Sequence, residues 1–111
     1  MASRSLTKRE RDVLDALLAV DFPGVQALRT QAKTVEVVAV CGCGCPSIDF
    51  CEEWDVGLHV RVNAAIDGRQ HDGLLLFTLG VRLGGIEYVG NSEEKDPTEF
   101  PDAALLIVGP A

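Results

Sequence analysis

The sequence predicts an α+β fold in which an N-terminal helical hairpin packs on an antiparallel sheet of four or five strands. Three observations carry that prediction. Thr7 to Glu10 spells a capping box, the hydrophobic period changes from helical to two at Thr34, and turn signals at Asp67-Gly68 and Gly80 separate the later apolar runs.

In Thr7-Lys8-Arg9-Glu10 the Thr7 hydroxyl can accept from the Glu10 amide while the Glu10 carboxylate reaches back to the Thr7 amide. A helix is expected from there to about Val20, with Val13, Leu14, Leu17 and Leu18 on one stripe. Asp21-Phe22-Pro23-Gly24 breaks it. Asp21 then reads as the cap of a second helix, with Pro23 in the first turn and Val25, Leu28 and Ala32 on one face. From Thr34, Val35, Val37, Ala39 and Cys41 alternate with their neighbours through a β-branched run, the pattern of a strand. Pro46 interrupts it, and Ser47 to Phe50 resumes briefly before the polar bend Glu52-Glu53-Trp54-Asp55.

Gly57 opens the next strand, with Leu58, Val60, Val62 and Ala64 on one face and His59, Arg61 and Asn63 on the other. After the Asp67-Gly68 turn, Leu74 to Leu79 pairs with Ile86 to Val89 through a Gly80 to Gly85 connection. Asn91 to Asp102 gathers Glu93, Glu94, Asp96, Glu99 and Asp102 against Lys95 alone and reads as a mobile acidic loop. Ala103 to Val108 is apolar enough to dock as a last strand or a helical turn. One domain is expected, divided into a hairpin (1–33), a sheet (34–90), and an acidic loop with an apolar C-terminal segment (91–111).

Composition bounds the function. With 111 residues, 47% of them hydrophobic, the chain is long enough for one core without disulfide or metal staples. No apolar run approaches the roughly 20 residues of a membrane helix, and Met1 to Arg11 is too polar for a signal peptide, so the cytoplasm is the expected address. The net charge of −7 is uneven: residues 1–33 carry six bases and four acids, residues 34–111 four bases and thirteen acids. Such an excess of carboxylates argues against nucleic acid as a ligand and suits a basic protein partner.

Cys41-Gly42-Cys43-Gly44-Cys45-Pro46-Ser47, with Cys51 beyond, supports three readings. Four thiolates suffice for a tetrahedral zinc ion, and His59 can replace one of them. The spacing opposes this, because zinc knuckles use two intervening residues, and in an extended strand Cys41 and Cys45 stand about 13 Å apart. A reactive thiol is the second reading, served by a base such as His59 or His71, neither of which the sequence places near the cluster. The third, and the one the register favours, is core packing: Cys41, Cys43 and Cys45 continue the odd-numbered face of Val35, Val37 and Ala39. Disulfides are not expected in a reducing compartment, nor between i and i+2 side chains that run parallel along one strand face.

Other motifs are sparse. Gly80-Val81-Arg82-Leu83-Gly84-Gly85 begins like a phosphate loop, but Ile86 and Glu87 stand where Lys and Ser or Thr belong. His71-Asp72 reads as a solvated loop fragment rather than a catalytic pair. Trp54 is either an interface anchor or a loop aromatic folded onto the sheet edge.

Through Leu6 to Glu10, Asp21-Phe22-Pro23-Gly24, Cys43-Gly44-Cys45-Pro46-Ser47-Ile48 and Glu87 to Val89, most of the chain resembles a group of small uncharacterised actinobacterial proteins. The resemblance implies one compact domain and transfers no catalytic residue. Cys51 lies outside the shared motif.

The function expected from these features is non-catalytic binding of a protein partner, in the manner of an immunity or adaptor protein. Trp54, Glu93, Glu94, Asp96 and Glu99 would face a basic surface, without nucleic acid or membrane, and the chain would be a monomer or homodimer. The alternative is a zinc- or thiol-dependent protein with Cys41, Cys43, Cys45 and Cys51 as ligands. A small-molecule binder using the Gly42 and Gly44 face is the third class.

Overall fold

Backbone donors at a helix start need acceptors, and here the first turn supplies them. The Thr7 hydroxyl accepts from the Glu10 amide at 3.1 Å and Glu10 Oε1 accepts from the Thr7 amide at 2.9 Å, so α1 (Lys8–Leu17) begins on a complete capping box. The computed structural model that shows this describes residues 3–54, 57–90 and 97–111. Arg4 clamps the same carboxylate with two bonds of 2.8 and 2.9 Å, and its backbone exchanges hydrogen bonds with Val37 at 3.0 and 2.8 Å. The N-terminal segment is thereby tied both to α1 and to the chain leading into the sheet.

The second helix departs from expectation at its start. α2 (Val25–Ala32) is entered through Gly24 at φ 92°, a left-handed turn, so neither Asp21 nor Pro23 belongs to its first turn. Asp21 instead accepts from Arg29 at 2.9 Å, while Arg29 Nε reaches the Leu18 carbonyl at 2.8 Å and closes the end of α1.

The sheet has six strands among the described residues, antiparallel throughout, rather than four or five. They are β1 (Ala39–Val40), β2 (Ile48–Asp49), β3 (Leu58–Ile66), β4 (Arg69–Leu79), β5 (Arg82–Val89) and β6 (Leu106–Pro110). The spatial order is β1-β2-β5-β4-β3-β6. β4 and β5 run longer than their apolar segments, because the Gly80 turn needs only Val81 beside it and the ladder resumes at Leu79 opposite Arg82. The strand expected from Thr34 shrinks to the bridge at Val37 and the two residues of β1. The C-terminal segment takes both expected forms, a 3-10 turn at Ala103–Leu105 capped by the Asp102 carboxylate and then β6 beside β3.

One sheet face is covered. Val13, Leu14 and Leu17 of α1 and Val25, Leu28 and Ala32 of α2 bury against Val62, Ala64 and Ile66 of β3, Leu74 and Leu76 of β4, and Ile86 and Tyr88 of β5. Asp72, expected in solvent, is buried among them and accepts from the Tyr88 hydroxyl and, at 2.6 Å, from Arg69 Nε. Among the described residues, no helix is long and apolar enough to cross a membrane. Glu93, Glu94 and Asp96 of the acidic loop lie outside the described residues.

Candidate metal and thiol site

The seven residues between β1 and β2 form the candidate site, and local sequence explains their shape. Two glycines and a proline within Cys41 to Ser47 are turn formers, and they outweigh the alternation that precedes them. The ends of the loop are pinned to one another: the Cys41 amide donates to the Ser47 carbonyl at 3.3 Å and the Val38 amide to the Asp49 carbonyl at 2.8 Å. Between them the Gly44 amide donates back to the Cys41 carbonyl at 3.3 Å, with Gly44 at φ 90°. The chain therefore folds on itself where an extended strand was expected.

That turn overturns the core-packing reading. Cys41 and Cys45 are only partly covered and Cys43 is exposed, and the buried core contains none of them. It also removes the separation that argued against a shared ligand. The three sulfurs all lie within 4.8 Å of one another, with Cys41 Sγ and Cys43 Sγ 2.6 Å apart. Three sulfurs bonded at about 2.3 Å to a tetrahedral ion would stand roughly 3.8 Å from one another, so closing on zinc requires side-chain adjustments of roughly 1 Å.

Further contacts set the loop's electrostatics. The Cys45 amide donates to Cys43 Sγ at 3.4 Å, and the Ser47 hydroxyl stands 3.5 Å from Cys45 Sγ while accepting from the Tyr88 amide of β5 at 2.9 Å. Hydrogen bonding with Cys43 pushes Cys41 up to about 11. For Cys45, burial would raise the thiol, but hydrogen bonds from the Ser47 hydroxyl and amide, then from Cys43 and Cys41, hold it below the ordinary range. Beside the loop, burial pushes the Asp49 carboxyl up, reinforced by the charges of Glu52 and Glu87.

Cys51, the fourth proposed ligand, is not a member of the three-sulfur group; its Sγ accepts from the Glu53 amide at 3.5 Å. His59 and His71 are exposed and stand outside it as well. Ser47 is the site residue that the strand reading passes over, although Gly-Cys-Pro-Ser after a Cys-Gly-Cys is itself a turn signal.

The candidate partner contacts fall elsewhere. The Trp54 ring packs on Phe77 with centroids 5.6 Å apart, as a loop aromatic folded onto the sheet does, and remains 49% exposed. Phe77 in turn lies over Gly84 and Gly85, where a Cβ would come within 2.6 and 2.8 Å of its ring. Glu99 is exposed.

Comparison with protein families, with curated proteins and with solved structures finds no match for the chain.

Proposed function

We propose that the protein binds a thiophilic metal ion, with zinc as the working case, through Cys41, Cys43 and Cys45. The observation that carries this reading is the convergence of three sulfurs within 4.8 Å in an exposed turn. Thiolates select soft and borderline ions over magnesium or calcium. Three protein ligands leave a tetrahedral ion one position for water or for a ligand from another molecule. The loop hangs on two strands of two residues each rather than in the core, so binding need not drive folding. Such a site suits uptake and release of an ion better than a permanent structural staple.

The test is a titration of metal-free protein with zinc under anaerobic conditions, against a chromophoric chelator, repeated with cobalt to read thiolate charge-transfer absorption. One equivalent is expected to bind, Cys43→Ser is expected to weaken binding at least tenfold and Cys51→Ser to leave it intact. Wild-type binding no tighter than that of Cys43→Ser would overturn the assignment.

A second reading, contact with a protein partner, rests on Trp54. An exposed indole held in place by Phe77 is the type of rigid aromatic that anchors interfaces. With Glu99, and with the acids of 91–96, it would meet a basic surface, and the complex would weaken steeply as salt is raised.

A further inference from the structure

The Cys41 and Cys43 sulfurs are far closer than two sulfurs held by one ion. At 2.6 Å they approach the length of a disulfide bond, about 2.05 Å, while the Cys45 sulfur, within 4.8 Å of both, contacts the Ser47 hydroxyl at 3.5 Å. The obstacle to an i, i+2 bridge in a strand is that both side chains run parallel. In this turn they converge, because the Gly44 amide closes back on the Cys41 carbonyl with Gly44 in the left-handed region. Both sulfurs are also reachable, with Cys43 exposed and Cys41 partly so.

We propose that Cys41 and Cys43 form a reversible dithiol–disulfide pair that exchanges with small-molecule disulfides, with Cys45 remaining a free thiol. In the first step the Cys43 thiolate, the more exposed of the two, attacks one sulfur of the small disulfide. A mixed disulfide forms, and the departing thiolate takes the electron pair and the proton that Cys43 gave up. Cys41, after losing its proton, then attacks Cys43 Sγ, the Cys41–Cys43 bond forms, and the second small thiol leaves. Two protein thiols are oxidised and one small disulfide is reduced to two thiols. Given the metal-binding reading above, on which this consequence alone rests, oxidation withdraws two of the three ligands and releases the ion.

The exchange is tested on metal-free protein, so that its outcome is independent of whether zinc binds. Protein is equilibrated with glutathione disulfide and glutathione at a series of ratios, quenched with an alkylating reagent, digested and weighed. The expected product has lost two hydrogens and two of its four free thiols, with the bond mapped to Cys41 and Cys43 and with Cys45 and Cys51 alkylated. Cys51→Ser should form the same product at the same ratio, Cys45→Ser should still form the Cys41–Cys43 bond, and Cys41→Ser should stop at a glutathione adduct on Cys43. A bond mapped to Cys45 or Cys51, adducts without ring closure in the wild type, or four alkylated thiols at every ratio would each overturn the proposal. If the exchange fails while zinc still binds, the metal reading stands alone; if it succeeds without zinc binding, the loop is a thiol site only.

Discussion

The Gly44 amide donates to the Cys41 carbonyl at 3.3 Å while Gly44 holds φ at 90°, and this one turn is what brings three cysteine sulfurs together. Left-handed backbone disfavours any residue with a Cβ. A Cβ at Gly44 would meet nothing within 4 Å, so the penalty for a side chain there is conformational only. Gly44→Ala is therefore expected to lose about 1–2 kcal/mol in urea unfolding and to bind zinc more weakly. Gly42→Ala, also facing open space and without a positive φ, serves as the control and should leave unfolding nearly unchanged. Equal effects of the two substitutions would contradict the turn's role.

Gly85 pairs with Asp49 in β2, next to the far end of the cysteine loop. A Cβ there would fall 2.5 Å from the Ile48 carbonyl oxygen, a backbone atom of β2 that cannot swing aside, and 2.8 Å from the Phe77 ring. Gly85→Ala should overpack the β2–β5 pairing and destabilise the fold by roughly 1–3 kcal/mol. Because β2 carries the far end of the cysteine loop, cobalt charge-transfer intensity should fall as well; an unchanged melting temperature would disprove the close approach.

Tyr88 makes the fold sensitive to high pH. Burial, and then the hydrogen bond to the Asp72 carboxylate, push its phenol from 10.0 up to about 12. Below 10.0 both folded and unfolded chains keep the proton, and the contribution to stability is whole. Between 10.0 and about 12 the unfolded chain sheds it first, so stability falls as pH rises. Urea midpoints across that window should drop for the wild type and drop less for Tyr88→Phe. The variant should also start about 1 kcal/mol lower, having lost one donor to a buried carboxylate.

At the acid end Glu10 has the opposite sign. Burial would raise its carboxyl, but the hydrogen bonds from Arg4 and from the Thr7 amide outweigh it and hold the group below 4.5. Its contribution is complete above 4.5 and is lost as pH falls through the lower folded value. Glu10→Gln should flatten that acid slope, and Thr7→Ala should reduce stability by about 1 kcal/mol at neutral pH through loss of the cap. An acid limb identical in wild type and Glu10→Gln would contradict the arrangement.

What was legible in the sequence follows from where local and tertiary signals agree. The capping box at Thr7 and Glu10, the Gly68 turn and the Val62 and Ala64 end of the β3 alternation are local patterns that packing reinforces, whereas Leu58 is exposed and Val60 only partly buried beyond the register shift between Val60 and Val62. Asp21 failed as a cap because Gly24 offered a left-handed entry and Arg29 took the carboxylate. The odd-numbered register fails at the cysteine segment because it runs through Gly42 and Gly44, residues with no stake in a strand. Asp72 looked solvated beside His71, since its partner Tyr88 is 16 residues away and reaches it only through the β4–β5 pairing.

The central claim is that Cys41, Cys43 and Cys45 are ligands to one ion. X-ray absorption at the zinc edge on protein loaded with one equivalent measures this most directly, by counting sulfur neighbours at about 2.3 Å. Three sulfurs with one lighter ligand in the wild type, three again in Cys51→Ser, and two in Cys43→Ser are expected. A zinc ion surrounded only by oxygen and nitrogen, or a sulfur count unaffected by Cys43→Ser, would contradict it.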